Sequence, residues 1–234
     1  MRQFPATQYF GRRTHRTGLV ALGIWSLALA LGMFLPACEI TDRTDPTVVV
    51  TDPDYRVPLG GTYEERGAIA TDREDGVLDT ADIVTDNSAV RTDSVGTYPV
   101  LYFTMDAAGN EDSATRMLDV YVRPIHYAGT WSVVDTCDSV GMAYPVTFDF
   151  FPGDSTTVSV ANFRNRGSSY IVDMTVRGIL GRVIELSDTV EALTFVGTSL
   201  LTEGTLDRFA FDLSFDESDT IGTVIGCEAE FRRP

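Results

Sequence analysis

From Phe209 to Asp216 the chain alternates strictly. Phe209, Phe211, Leu213 and Phe215 are separated by Ala210, Asp212, Ser214 and Asp216. Successive strand residues point to opposite faces, so this pattern predicts a half-buried β-strand. Ile221, Thr223, Ile225, Cys227, Ala229 and Phe231 repeat it. The C-terminal half yields eight such strands, at 130–137, 144–151, 155–163, 169–177, 181–189, 192–200, 207–215 and 221–231. Turn chemistry joins them, as in "DSVGMA", "PGD", "RNRGS" and "GILG". Eight hairpin-connected strands hide both sheet edges by closing into an up-and-down barrel.

The preceding segment is also strand-like, with a different rhythm. "TVVVT" at 47–51 is followed by turn-rich sequence, and Val100, Tyr102 and Thr104 alternate with Leu101, Phe103 and Met105. Turns about every ten residues predict a β-sandwich over 47–123. "VRPIHYAG" is the boundary, because Pro124 breaks strand pairing and Gly129 opens the next unit at 127–234. So short a linker limits freedom between the two. The fold class is all-β.

The N-terminus follows neither pattern. Arg2, Arg12, Arg13 and Arg16 precede an uncharged run from Leu19 to Leu35. A basic region and then an apolar one describe an export signal. The run of 17 residues is at the lower edge of what spans a bilayer, so a retained signal anchor is the alternative. "LPAC", Leu35 to Cys38, resembles the bacterial lipoprotein lipobox. That resemblance implies a signal peptide over 1–37, acylation of Cys38 and a tether over 38–46. Two or more acyl chains hold a protein to a membrane stably.

Two further resemblances bear on the body. "VPLGGTYEERGAIATDREDG" and "VGTYPVLYFTMDAAGNEDSATRMLDVYV" resemble the bacterial surface Ig-like module. The matching elements are Gly60, Tyr63, Gly96, Thr97, Tyr98 and the turn Asp106 to Asn110. This implies a Greek-key sandwich serving as spacer or adhesion unit. Gly129-Thr130-Trp131 resembles the G-x-W start of lipocalin-like barrels. That implies that Trp131 plugs one barrel end beneath a C-terminal arginine, Arg232 or Arg233, with Arg232 taken as the plug residue.

Charge narrows the partners. No lysine occurs, and all 18 basic residues are arginine. From Cys38 onward 34 acidic residues face 14 arginines, a net of −20. Such a body repels nucleic acid, so no nucleic-acid partner is expected. Cys137 ends the first barrel strand and Cys227 lies on the last, neighbours in a closed barrel. Export favours a Cys137–Cys227 disulfide, worth ~4 kcal/mol in the chain-entropy model.

Candidate chemistry is sparse. His15 precedes the cleavage point, which leaves His126 as a solvated linker side chain. A histidine-dependent triad or zinc set is not expected. Asp72, Glu74, Asp75, Asp79 and Asp82 form an acidic stretch in a turn region. Calcium takes such oxygens, but "DREDG" does not match an EF-hand loop, and neither metal nor cofactor is assigned. A carboxylate hydrolase would need two acids facing each other across one cleft. "ANFRNRGSSY" sets Phe163, Arg164, Arg166 and Tyr170 around a turn, the residue types of a sugar-binding loop. The resulting expectation is a non-enzymatic, exported lipoprotein of the bacterial outer membrane or cell surface. Its barrel, displayed on the Ig-like spacer, serves surface binding, with an extracellular glycan the first partner and an envelope protein the second, or it serves envelope structure. The alternative is a carrier of a small apolar ligand inside the barrel, favoured by empty space near Phe148, Phe150, Phe209 and Phe211.

Overall fold

The structure is a computed structural model that describes residues 42–137 and 139–233. The expected signal segment, Cys38 and the first part of the tether lie outside the described residues. Asp42–Pro234 form one compact unit.

The first seven strands are β1 (Thr47–Val50), β2 (Arg56–Pro58), β3 (Ala68–Asp72), β4 (Gly76–Val77), β5 (Val84–Asp86), β6 (Gly96–Met105) and β7 (Glu111–Tyr121). They form two sheets, in the orders β1-β3-β4 and β2-β7-β6-β5. Val48, Ala68 and Ala70 of one sheet pack on Val100 and Tyr102 of the other. The period-two reading of β6 holds: Val100 and Tyr102 are buried, whereas Phe103 and Met105 face solvent. Arg116 lies inside this sandwich and is almost wholly buried. Its guanidinium donates to Glu65 (2.9 Å), the Tyr63 hydroxyl (3.1 Å) and the Thr51 carbonyl (3.2 Å). A buried charge is tolerable only with such partners.

The remaining strands are β8 (Gly129–Cys137), β9 (Val140–Phe150), β10 (Thr157–Ala161), β11 (Ile171–Arg177), β12 (Val183–Val190), β13 (Leu193–Gly204), β14 (Phe209–Ser218) and β15 (Val224–Arg233). Each pairs antiparallel with its sequence neighbours, and β15 returns to β8, so the sheet closes. Every expected barrel strand is present. Ile221 and Thr223 lie in the turn before β15 rather than on its inner face. Cys137 and Cys227 are register partners and form a disulfide with Cα atoms 4.4 Å apart.

Sandwich and barrel share one core. Val57, Leu59, Leu118, Val120 and Val122 continue into a cluster that includes Tyr127, Trp131 and Phe209. Backbone hydrogen bonds cross the junction from Val95 to Gly204 (2.8 Å), from Leu206 to Asp93 (3.0 Å) and from Val122 to Leu180 (3.0 Å). Gly181, at φ 66°, sits against the Val122 carbonyl, where an added Cβ would overlap that oxygen.

Candidate functional site

Aromatic rings interlock in the barrel interior. Trp131 lies 5.0 Å from Phe148 between ring centroids, and Phe211 stacks on Phe231 at 4.5 Å. Phe148 meets Phe211 edge-on at 6.0 Å. These interlocked rings occupy the space near Phe148 and Phe211 that a small apolar ligand would need. Phe150 is only partly buried, at the rim.

The end nearest the sandwich is closed by Trp131, whose indole N–H donates to the Tyr127 carbonyl at 2.8 Å. The arginine over it is Arg233, 5.9 Å from the Trp131 ring and 4.3 Å from the Phe209 ring. Arg233 also donates to the His126 carbonyl at 2.7 Å. This corrects the choice of Arg232. Phe231 points inward, and on a strand the inward positions continue at 233, not 232. Arg232 instead faces out and pairs with Glu230 and Asp212.

The far end corrects the expected sugar loop. Phe163 is fully buried and Tyr170 only 3% exposed, so neither ring offers a stacking face. Phe163 packs against Phe195 (5.3 Å) and Phe215 (5.4 Å). Asn162, Arg164 and Asn165 take positive φ, which folds the segment tightly over the barrel mouth. Arg164 binds Asp135 and Glu217 at 2.9 Å each, and Arg166 binds Glu217 at 2.9 Å. Asp135 and Glu217 sit on inward positions of β8 and β14 and are buried. The loop is a plug, and its arginines neutralise two carboxylates inside the barrel. A sequence signal existed: Asp135 interrupts the inward series Trp131, Val133, Cys137, and a buried acid needs a cation.

His126 is half-buried rather than solvated. Its Nδ1 accepts the Arg123 backbone N–H at 2.8 Å, within a 3-10 turn over Pro124–Tyr127. Burial, then the nearby Arg123 charge, lowers its pKa.

Open space lies on the sandwich. A surface groove of about 1160 Å³ runs along β6 beside the edge strands β4 and β5. Exposed Val77, Val84, Phe103 and Met105 line it, with Val84 and Phe103 in register. Asp79 and Asp82 border it before β5, and Glu111 borders it on β7 opposite Met105. Among the described residues none that lines it is basic.

At one end of this groove the acidic stretch is rearranged. Four carboxylates converge there: Asp42, Asp72, Asp75 and Asp106 each bring an oxygen within 4.8 Å of the others. Glu74, Asp79 and Asp82 are outside the group. Asp42 and Asp106 come from elsewhere in the chain, a juxtaposition that no local spacing reveals. Asp72 Oδ1 accepts the N–H groups of Glu74 (2.7 Å) and Asp75 (2.9 Å). Asp106 accepts from the Asn110 side chain (2.8 Å), the Asn110 N–H (2.8 Å) and the Ala108 N–H (2.9 Å). The N–H of Asp75, foremost, holds the Asp72 pKa below the usual carboxylate range. For Asp106 burial pushes upward, but the Asn110 hydrogen bonds outweigh it and the pKa is lowered. Both are kept ionised, the opposite of what a hydrolytic general acid needs.

Among the described residues no helix is long and apolar enough to cross a membrane. No curated protein matches the chain. Two solved structures align with it. One is a lipoprotein from Bacteroides thetaiotaomicron, 14% identical, covering 80% of this chain and 100% of that one at a TM-score of 0.29. The other is a protein of unknown function from Bacteroides ovatus, 9% identical, covering 81% of this chain and 78% of that one at a TM-score of 0.31. TM-scores this low carry no argument about fold or function. The sequence of the sandwich is more informative: residues 49–120 match the family model of the bacterial surface protein Ig-like domain.

Proposed function

We propose that this chain is a non-enzymatic, exported bacterial surface lipoprotein, anchored through acyl chains on Cys38. In this reading it displays a rigid sandwich–barrel body, and the sandwich groove takes a basic, partly apolar segment of an envelope or extracellular protein. The observation that carries the reading is the groove itself. It has an apolar floor of Val84, Phe103 and Met105, an acidic border and, among the described residues, no basic side chain in its lining. Contiguous exposed apolar surface rimmed by polar residues is typical of interaction sites, and the border supplies complementarity to a cationic partner. A surface Ig-like domain accords with display. A glycan at the 163–170 loop lacks support, because both of its rings are inside the barrel. The carrier reading lacks it too, because rings interlock in the interior.

The test uses the full chain in detergent micelles and two fluorescent peptides, one basic and amphipathic, the other with its charges inverted. The basic peptide is expected to bind more tightly, and Phe103→Ala to weaken it about tenfold, the scale of a central anchor residue. Equal binding of both peptides, or an unchanged affinity in Phe103→Ala, overturns the groove. Mass spectrometry showing an unmodified thiol at Cys38 overturns the anchor.

A further inference from the structure

The carboxylate cluster is not explained by the turns that contain it. Those turns use Asp72 Oδ1 and both oxygens of Asp106 as backbone or side-chain acceptors. They leave Asp72 Oδ2 with no partner, although it is sealed from solvent and Asp72 as a whole is only 8% exposed. A buried carboxylate oxygen is ordinarily hydrogen-bonded, and each exception calls for a cause. Asp72 lies among three more carboxylates, and each of the four brings one oxygen within 4.8 Å of the others. No arginine pairs with any of the four among the described residues. Arg73, next to Asp72 in sequence, turns to Glu74 instead. Among the described residues, four negative groups from three distant segments thus come together with no positive charge paired to them.

We propose that Asp42, Asp72, Asp75 and Asp106 form a calcium site, with the unpartnered Oδ2 of Asp72 as its buried ligand. The donors are all hard oxygens, which excludes a soft thiolate-seeking metal. Calcium accepts six to eight oxygens in flexible geometry, whereas magnesium demands a near-ideal octahedron and retains most of its water. Four carboxylates from loosely spaced segments suit the larger ion, with water completing the shell.

The site has a mechanical consequence. Asp72 and Asp75 flank the β3–β4 turn, Asp106 opens the β6–β7 turn, and Asp42 precedes β1. A shared ion ties the segment leading into the sandwich to two of the sandwich's own turns. Calcium thereby fixes how the body leaves its tether. This goes beyond the groove reading and does not depend on it.

The experiment uses the full chain in detergent, stripped with chelator and titrated with calcium chloride alone by calorimetry. One ion per chain is expected, with a dissociation constant of about 10⁻⁴ to 10⁻³ M, the range of extracellular modules. Asp72→Asn keeps an oxygen for the two turn N–H groups and should weaken binding at least tenfold. Asp42→Asn lies outside the sandwich core, leaves folding intact, and should do the same. Calcium should also slow tryptic cleavage after exposed Arg43 in the parent chain and not in Asp42→Asn. Absence of binding at about 10 mM calcium, far above that range, overturns the proposal. So does an unchanged affinity in Asp42→Asn, or magnesium binding as tightly as calcium. Cleavage at Arg43 that is insensitive to bound calcium overturns the mechanical consequence. Peptide affinity at the groove is a separate readout, so the two proposals fail independently.

Discussion

At the residue scale, the buried charges carry the clearest consequences. Arg116 depends on Glu65, and Glu65 in turn accepts from the Tyr102 hydroxyl (2.5 Å). Partial burial pushes the Glu65 pKa upward, but hydrogen bonds from Tyr102, Tyr63, Gly67 and Arg116 outweigh it and hold the value at about 2, from an ordinary 4.5. On acidification the unfolded chain therefore takes up this proton first. The stabilisation is full above about 4.5 and is lost as the pH falls toward about 2. Denaturant unfolding of Glu65→Gln against the parent chain should show a shallower loss of stability across that window. Glu65→Ala, which leaves the guanidinium without its anion, should cost about 3 kcal/mol near neutral pH. An unchanged slope in Glu65→Gln would mean that other carboxylates govern acid unfolding.

At the scale of the element, β15 shows how one register position decides a side chain's role. Arg232 and Arg233 are adjacent and chemically identical, yet one lies on the outer wall and the other covers Phe209 and Trp131. Arg232→Ala should change stability by no more than about 0.5 kcal/mol, because exposed ion pairs contribute little. Arg233→Ala removes a cation–ring contact and the hydrogen bond to His126, and should cost about 1–2 kcal/mol. Thermal melts of the two single variants decide the matter, and equal losses would contradict the assignment of Arg233 as the lid. The β10–β11 loop follows the same logic. Its aromatics and arginines have the composition of a binding loop, but Asp135 and Glu217 inside the barrel draw the arginines in and the rings follow.

At the scale of the whole molecule, the junction makes sandwich and barrel one body. The shared core and three cross-junction backbone hydrogen bonds leave little room for hinge motion. Gly181 is the tightest point, with positive φ and no space for a side chain beside Val122. Gly181→Ala should lower stability by about 2 kcal/mol, through backbone strain and loss of close approach. Hydrogen exchange should report the loss first at the Val122 amide, which donates to the Leu180 carbonyl. A variant as stable as the parent chain would show that the junction tolerates separation, and the body would then be two jointed parts.

Local pattern was sufficient for the strands. Period two marks which residues face inward, and turn residues mark where each strand stops, because both follow from backbone geometry within a few positions. The Ig-like module and the Cys137–Cys227 pairing were legible for the same reason, since strand order in a closed barrel follows chain order. Site chemistry was not. Whether Phe163 and Tyr170 face water or the core depends on acids 28 residues and more away along the chain, as with Asp135 to Phe163. The carboxylate group draws Asp42, Asp72 and Asp106 together across the sandwich, and only folding sets that distance. A strand's faces are fixed by its own backbone; a cluster, a plug or a groove is fixed by which strands come to lie beside one another.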